Sequence, residues 1–137
     1  MTSTIRTGRL SDVEAVLWLW AAAGAEPSHT DDAKSVAKLI VRDPLALIVA
    51  EDNDQLVGSV IAGWDGWRGS IYRLAVAPSH RRLGLGTRLL HAAEARLSTT
   101  GGVRLQAIVV DTEPTALGFW RASGWEQQEN RLRFVKG

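Results

Sequence analysis

Arg81, Arg82, Gly84 and Gly86 are the residues whose types and spacing most plainly do chemistry, and the chemistry is anion binding. They lie between an apolar strand candidate, Ile71 to Ala77, and the start of an amphipathic helix pattern. The first backbone N–H groups of a helix have no intrahelical partner, and the helix dipole adds about half a positive charge there. Such an end holds a phosphate or pyrophosphate without a dedicated side chain. Gly84 and Gly86 let the backbone approach the anion with no Cβ in between. Arg81 and Arg82 add charge-assisted donors at the rim.

Spacing decides which phosphate ligand is meant. A P-loop needs Gly-x-x-x-x-Gly-Lys followed by Ser or Thr, and the chain has no such run. A dinucleotide fingerprint needs a third glycine where Leu89 stands. The pattern that fits is Arg/Gln-x-x-Gly-x-Gly/Ala, present as Arg81-Arg82-Leu83-Gly84-Leu85-Gly86 behind Leu74-Ala75-Val76. This run resembles the acetyl-CoA-binding motif of the GNAT family of N-acetyltransferases. The segment Ala116-Leu-Gly-Phe-Trp-Arg-Ala-Ser-Gly-Trp125 is similar to that family's late helix, commonly Ala-x-x-Phe-Tyr-x-x-x-Gly-Phe. The resemblance covers essentially the whole chain. It implies an acyltransferase that moves an acetyl group from acetyl-CoA to a primary amine by direct attack in a ternary complex. The acceptor, a small molecule or a protein amine, is not readable. The reading from another class is a non-catalytic acetyl-CoA-binding module, a sensor or interaction protein on the same fold.

The resemblance also assigns roles. The pantetheine arm would lie along the strand at Leu74, Ala75 and Val76, with one backbone N–H of that strand polarising the thioester carbonyl. The pyrophosphate would rest on the N–H groups of Arg82, Leu83, Gly84, Leu85, Gly86 and Thr87, with Arg81 at the first position of the motif. Two residues depart from the family pattern. Trp120 stands where many members carry a tyrosine that protonates the departing thiolate, and Glu113 stands where asparagine is common. An indole N–H donates a hydrogen bond without transferring a proton, so Trp120 is expected to pack on the CoA arm. A thiol pKa of about 8.5 makes the thiolate a tolerable leaving group unaided. Tyr72, expected to alternate with Leu74 and Val76 on one face, is the candidate for a substitute acid. An alkylammonium acceptor, with a pKa of about 10, must lose its proton before attack. The candidate bases are Glu51, Asp65 and Glu113, each of which reads equally as a turn or cap carboxylate. His29, His80 and His91 are scattered, so no metal site is expected.

Six tryptophans are many for 137 residues. Trp20 and Trp125 read as core. Trp64 and Trp67 flank a turn and, with the loop Gly24 to Thr30, form a candidate aromatic wall for the acceptor. With Trp18 they form, alternatively, a candidate homodimer surface, since tryptophan anchors interfaces.

The elements that must position these residues follow from pattern. Thr4 to Thr7 is a short β-branched strand. Ser11-Asp-Val-Glu14 is a capping box, and Val13, Val16, Leu17 and Trp20 recur at helical spacing behind it. A second Asp-capped helix is predicted from Asp32 to Val41, stopped by Asp43-Pro44. Leu45 to Glu51 and Gln55 to Trp64 make a hairpin around Asp52-Asn-Asp54. Ser70 to Ala77 is the strand before the phosphate loop. The following helix, about Gly84 to Ser98, has the packing stripe Leu85, Leu89, Leu90, Ala93 and Leu97. Val103 to Val110 is a strand, Pro114 opens a last helix, Gly124 caps it, and Trp125 and Arg131 to Lys136 give closing strands. The order predicts one domain over residues 1–137 of the α/β (α+β) class. A mixed, mostly antiparallel central sheet is flanked by about four helices, as the resemblance also implies.

Bulk properties narrow the partners. Hydrophobic residues are 45% and charged residues 23% of the chain, an ordinary globular balance that argues against disorder. A net charge of +1 carries no general footprint for nucleic acid or an anionic membrane. With no cysteine there is no disulfide, thiolate metal site or cysteine nucleophile, which favours direct transfer over a thioester-enzyme intermediate. The opening residues lack the apolar run of a signal peptide, and no run is long enough to span a bilayer, so a cytoplasmic protein is expected.

Overall fold

The computed structural model describes residues 3–101, 104–109 and 114–137. Five strands form one sheet in chain order: β1 (Thr4–Thr7), β2 (Leu47–Asp52), β3 (Gln55–Trp64), β4 (Gly69–Val76) and β5 (Leu105–Ala107). β1 to β4 pair antiparallel and β5 runs parallel to β4. β2 and β3 are joined through Asn53 and Asp54, both left-handed at φ 51° and 64°. That is the two-residue hairpin turn whose twist matches the flanking strands, and Asn and Asp tolerate it better than most residues.

Successive side chains of a strand point to opposite faces, and each face here is covered. On one lie α1 (Val13–Ala22) and α2 (Ala33–Arg42), whose Val13, Val16, Leu19, Trp20, Val36 and Ile40 pack against Leu47, Val49, Ile61 and Ala75. On the other lies α3 (Leu85–Ser98), burying the predicted stripe Leu85, Leu89, Leu90, Ala93 and Leu97. A methyl group added at Gly58 would meet Leu89 at 2.7 Å, so the absent Cβ sets how closely α3 approaches the sheet. Burial of one such leucine contributes about 1.5–3 kcal/mol. Arg96 of α3 donates to both carboxylate oxygens of Asp43 at 2.6 Å and to the Ala62 carbonyl, tying α3 to the end of α2 and to β3.

α1 does not begin at the Ser11 capping box. A 3₁₀ turn at Leu10–Asp12 precedes it, and the carboxylate of the buried Asp12 accepts from the Arg9 N–H at 2.8 Å. The reason is electrostatic: Arg6 of β1 makes two bonds to Asp12, at 2.8 and 3.0 Å. That pairing holds the Asp12 carboxyl below its usual range despite its burial, and raises the Arg6 guanidinium. α2 keeps its expected cap, with Asp32 accepting from the Ser35 N–H at 2.7 Å.

Residues 108–137 form a second compact unit. Within it α4 (Pro114–Ala122) ends at Gly124, where φ is +87° and the Trp125 N–H bonds back to the Trp120 carbonyl at 3.1 Å. Trp120 meets Trp125 edge-on at 4.8 Å and Phe119 at 5.8 Å. The closing strands predicted at Trp125 and over Arg131 to Lys136 are absent from the described residues. Leu132, Phe134 and Val135 are exposed there, and an unpaired strand has nothing to satisfy its backbone. β5 is shorter than the predicted 103–110, and Val103 and Val110 lie outside the described residues.

Candidate active site

β4 passes through a 3₁₀ turn at Pro78–His80 into the loop that opens α3. Arg82 is left-handed at φ 63° and Gly84, the N-cap of α3, at φ 78°. No side chain caps the helix at Gly84. The N–H groups of Leu85, Gly86 and Thr87 therefore face outward from a fourteen-residue helix with its dipole behind them. Side chains of the loop fasten it to older parts of the chain. Arg81 donates to the Ala23 carbonyl at 2.8 Å and to the Val76 carbonyl at 3.3 Å. Arg88 donates to the Ser3 carbonyl at 2.9 Å. His80 is bonded through Nε2 to Asp52 at 2.8 Å and through Nδ1 to Ser79 at 2.7 Å. Of the rim residues, Arg81 thus holds main-chain oxygens, while Arg82 and Leu83 stand exposed. A cavity of about 200 Å³ opens beside the loop, lined by Ser3, His80, Leu83, Leu85 and Arg88.

β4 is irregular at its centre. Tyr72 pairs with Ile61 and Ala75 with Ser59, so Arg73 and Leu74 together stand opposite Val60. The extra residue is a β-bulge, with Arg73 at φ +50°. It also shifts the alternation. Ile61 and Ser59 share a face, so their partners Tyr72 and Ala75 share it too. The predicted common face of Tyr72, Leu74 and Val76 is broken by the bulge. β5 pairs with Gly69 to Ile71 and no further. From Tyr72 to Val76, no strand among the described residues pairs with that edge of β4.

Arg73 is held on several sides. Its guanidinium donates to Asp31 from Nε at 3.1 Å and from Nη2 at 2.5 Å, and lies 5.4 Å from the centre of the Trp20 ring. Its carbonyl accepts from the Ser59 hydroxyl at 2.9 Å, and Ser59 accepts from Trp20 Nε1 at 2.9 Å. Residue pattern gives no sign of this cluster beyond Ser59, the one hydroxyl in the otherwise apolar run 56–64.

The candidate acid and bases do not converge. Tyr72 is 52% exposed, and its ring backs onto Gly63, where an added methyl would meet it at 3.3 Å. Glu51 accepts from Arg6 at 3.3 Å. It lies four residues along β2 from the row Tyr72–Ile61–Leu47, about 13 Å by strand rise alone. Asp65 is exposed and accepts from the N–H groups of Trp67 and Arg68, both at 2.7 Å. The Arg68 N–H first and then that of Trp67 hold its carboxyl below the usual range. Glu113 lies outside the described residues. Trp64 is half-buried at the end of β3, and Trp67 is 70% exposed with the Arg68 guanidinium 4.1 Å from its ring. Trp18, 71% exposed, borders a groove of about 610 Å³ with Glu51, Asp54 and Gln55 at the other end of β3. The ten-residue strand holds those ends about 30 Å apart, so Trp18 shares no patch with Trp64 and Trp67. Among the described residues no cluster could hold a metal ion, and no helix is long and apolar enough to cross a membrane.

Comparison with known proteins agrees with this geometry. Residues 13–125 match the model of the Acetyltransferase (GNAT) family. An acetyltransferase of Pectobacterium atrosepticum is 32% identical over 122 residues, covering 89% of this chain and 86% of that protein. The PaiA N-acetyltransferase of Thermoplasma acidophilum, solved in complex with coenzyme A, superposes with a TM-score of 0.81 at 18% identity, over 96% of this chain and 94% of that one. AAC(6')-Iy, solved with the bisubstrate analogue CoA-S-monomethyl-acetylneamine, gives 0.78 at 17% identity over 100% and 99%. A family match across most of the chain, joined to a curated relative aligned over nearly the whole of both proteins, leads to one conclusion: the chain belongs to the GNAT family and is an acetyltransferase.

Proposed function

We propose that this protein transfers the acetyl group of acetyl-CoA to a primary amine by direct attack in a ternary complex, with residues 1–137 working as one catalytic domain in the cytoplasm. The observation that carries the reading is the edge of β4 from Tyr72 to Val76, with which no strand among the described residues pairs and which leads to the uncapped N-terminus of α3. An extended amide-containing arm adds to such an edge as a strand would, through the backbone of Leu74, Ala75 and Val76. The pyrophosphate at its end rests on the N–H groups of residues 82–87, with Arg82 as the side chain free to pair with it. The solved relatives that carry CoA or a CoA-bearing bisubstrate support this donor, and an aminoglycoside-type amine is one acceptor class among those to be screened.

In the transfer, the amine nitrogen attacks the thioester carbon with its lone pair, and the C–N bond forms as the C–S bond breaks. The electron pair leaves on sulfur. A β4 backbone N–H meets the charge that develops on the carbonyl oxygen, a contribution of about 2.7–4 kcal/mol where one such donor has been removed from an enzyme. The thiolate needs little help, so Trp120 is assigned to packing on the CoA arm and Tyr72 to lining the acceptor side with Trp64 and Trp67. The acceptor ammonium gives one proton to water before it attacks as the neutral amine, and the nitrogen gives a second to water as the amide forms, the sulfur leaving as thiolate. Asp65 is a poor base because two N–H groups stabilise its charge, and Glu51 is paired with Arg6.

The test is a melting curve with CoA and a thiol-release assay over a panel of amines. CoA is expected to raise Tm, since binding to the native state alone stabilises it, and at least one amine class is expected to release thiol. No shift at millimolar CoA in folded protein would overturn the reading. Binding without turnover across a broad panel would favour a sensor module.

A further inference from the structure

We propose that Ser59, with Trp20 behind it, is a positioning residue for acetyl transfer: its hydroxyl sets the Arg73–Leu74 peptide plane and so aims the Leu74 N–H at the thioester carbonyl. This rests on the reading of β4 as the acyl-donor strand.

Ser59 is fully buried in the middle of β3. A hydroxyl there is destabilising unless both its donor and its acceptor capacity are used. Both are used, and in one direction: Trp20 Nε1–H donates to Ser59 Oγ, whose own proton goes to the Arg73 carbonyl, each at 2.9 Å. Every described peptide bond is trans. In a planar trans peptide the carbonyl and the next residue's N–H point in opposite directions. Fixing the Arg73 carbonyl toward Ser59, on the β3 side, therefore turns the Leu74 N–H away from β3. That is the side on which β5 has stopped pairing at Ile71.

The same plane is awkward to hold without help. Arg73 is left-handed at φ +50°, a region that destabilises a residue with a Cβ by about 1–2 kcal/mol. The surroundings over-determine it: Ser59 takes the carbonyl, Asp31 takes the guanidinium from the α1–α2 loop, and the Trp20 ring lies beside it. One indole thus supports the bulge twice, through its N–H and through its face. A donor held this way acts on developing charge with no reorganisation during the reaction. A displacement of about 1 Å at such a group can cost about a hundredfold in rate.

The decisive measurement needs no knowledge of the acceptor. Acetyl-CoA labelled with carbon-13 at the acetyl carbonyl is bound, and its carbonyl stretch is read by infrared difference spectroscopy. In the unaltered protein the stretch is expected to fall below that of free acetyl-CoA. In Ser59→Ala most of that shift should vanish, while the Kd for CoA stays within about threefold. Transfer to any amine that turns over should slow by about tenfold to a hundredfold in kcat, with KM for acetyl-CoA little changed.

Ser59→Ala also strands the Trp20 N–H, so Trp20→Phe/Ser59→Ala is the companion variant. It removes both partners and should regain much of the lost Tm, yet the carbonyl shift should stay lost. Recovery of the shift together with Tm, or an unchanged shift in Ser59→Ala, would overturn the inference alone. Failure of the unaltered protein to bind CoA, or binding with the carbonyl at its free frequency, would instead sink the donor-strand reading and this inference with it.

Discussion

The two ends of the candidate site hold left-handed backbone by opposite means. At the bulge, a left-handed arginine is kept in place by a hydroxyl, a carboxylate and an indole from three other elements. At the phosphate loop, Arg82 and Gly84 are left-handed as well, yet Gly84 is open space around its missing Cβ and no side chain caps the helix it begins. On the proposed function the bulge aims one peptide group, so it needs rigidity. On the same reading the loop would offer several N–H groups to a diffuse, doubly charged anion, so it needs them unoccupied. Side-chain truncation should therefore disturb the first end, and side-chain addition the second.

Gly86→Glu is the largest expected effect. A carboxylate among the first-turn N–H groups of α3 repels the pyrophosphate and takes its place at the helix dipole. CoA-dependent stabilisation should disappear while circular dichroism stays native, and unchanged affinity would move the anion elsewhere. At the other end, Arg73→Ala leaves the Asp31 carboxylate without its partner and should lower stability by about 1–3 kcal/mol, measured by urea denaturation. Arg73→Gly loses the same pairing with Asp31 but accepts φ +50°, so it should be the more stable of the two by about 1 kcal/mol. Equal stabilities would mean that the bulge is not strained.

Arg82→Ala tests whether the loop relies on backbone rather than side chain. Its Kd for CoA should rise about tenfold or less, with the difference growing at low salt because the charge is exposed. A salt-independent loss would point to packing. The smallest effect is expected from Tyr72→Phe, which should keep kcat within about threefold if the thiolate departs unaided. A fall of more than about a hundredfold would make Tyr72 the acid.

Much of the loop end was legible in the sequence, and little of the bulge end was. The stripe Leu85, Leu89, Leu90, Ala93 and Leu97 is periodic and strong, so α3 and the glycine that begins it follow from local pattern. β3 was readable for the same reason, between a turn-forming Asn53-Asp54 and Asp65-Gly66. The bulge has no such signature. Arginine is a poor indicator of positive φ, and the contacts that hold Arg73 come from residues 14, 42 and 53 positions away. Ser11 looked like a cap because its neighbours fit the rule, but the rule does not know that Arg6 draws Asp12 away. Arg131 to Lys136 alternates like a strand, yet alternation supplies no partner, and among the described residues the segment has none.

The fastening of the phosphate loop bears on how small the binding unit can be. Arg81 reaches a carbonyl 58 residues earlier, Arg88 one 85 residues earlier, and His80 a carboxylate 28 residues earlier. Each closes a long span of chain whose entropy must be offset before the loop takes its shape. An excised peptide of β4, the loop and α3 would carry every residue of the motif and none of these closures. Its N–H groups would not be gathered in one place, and the recognition signal in the sequence would outlive the recognition itself. On the proposed function, gathering the loop's N–H groups for the coenzyme's pyrophosphate needs β1, the end of α1 and β2 folded around it, so that binding would report on the completion of the fold as directly as any melting curve.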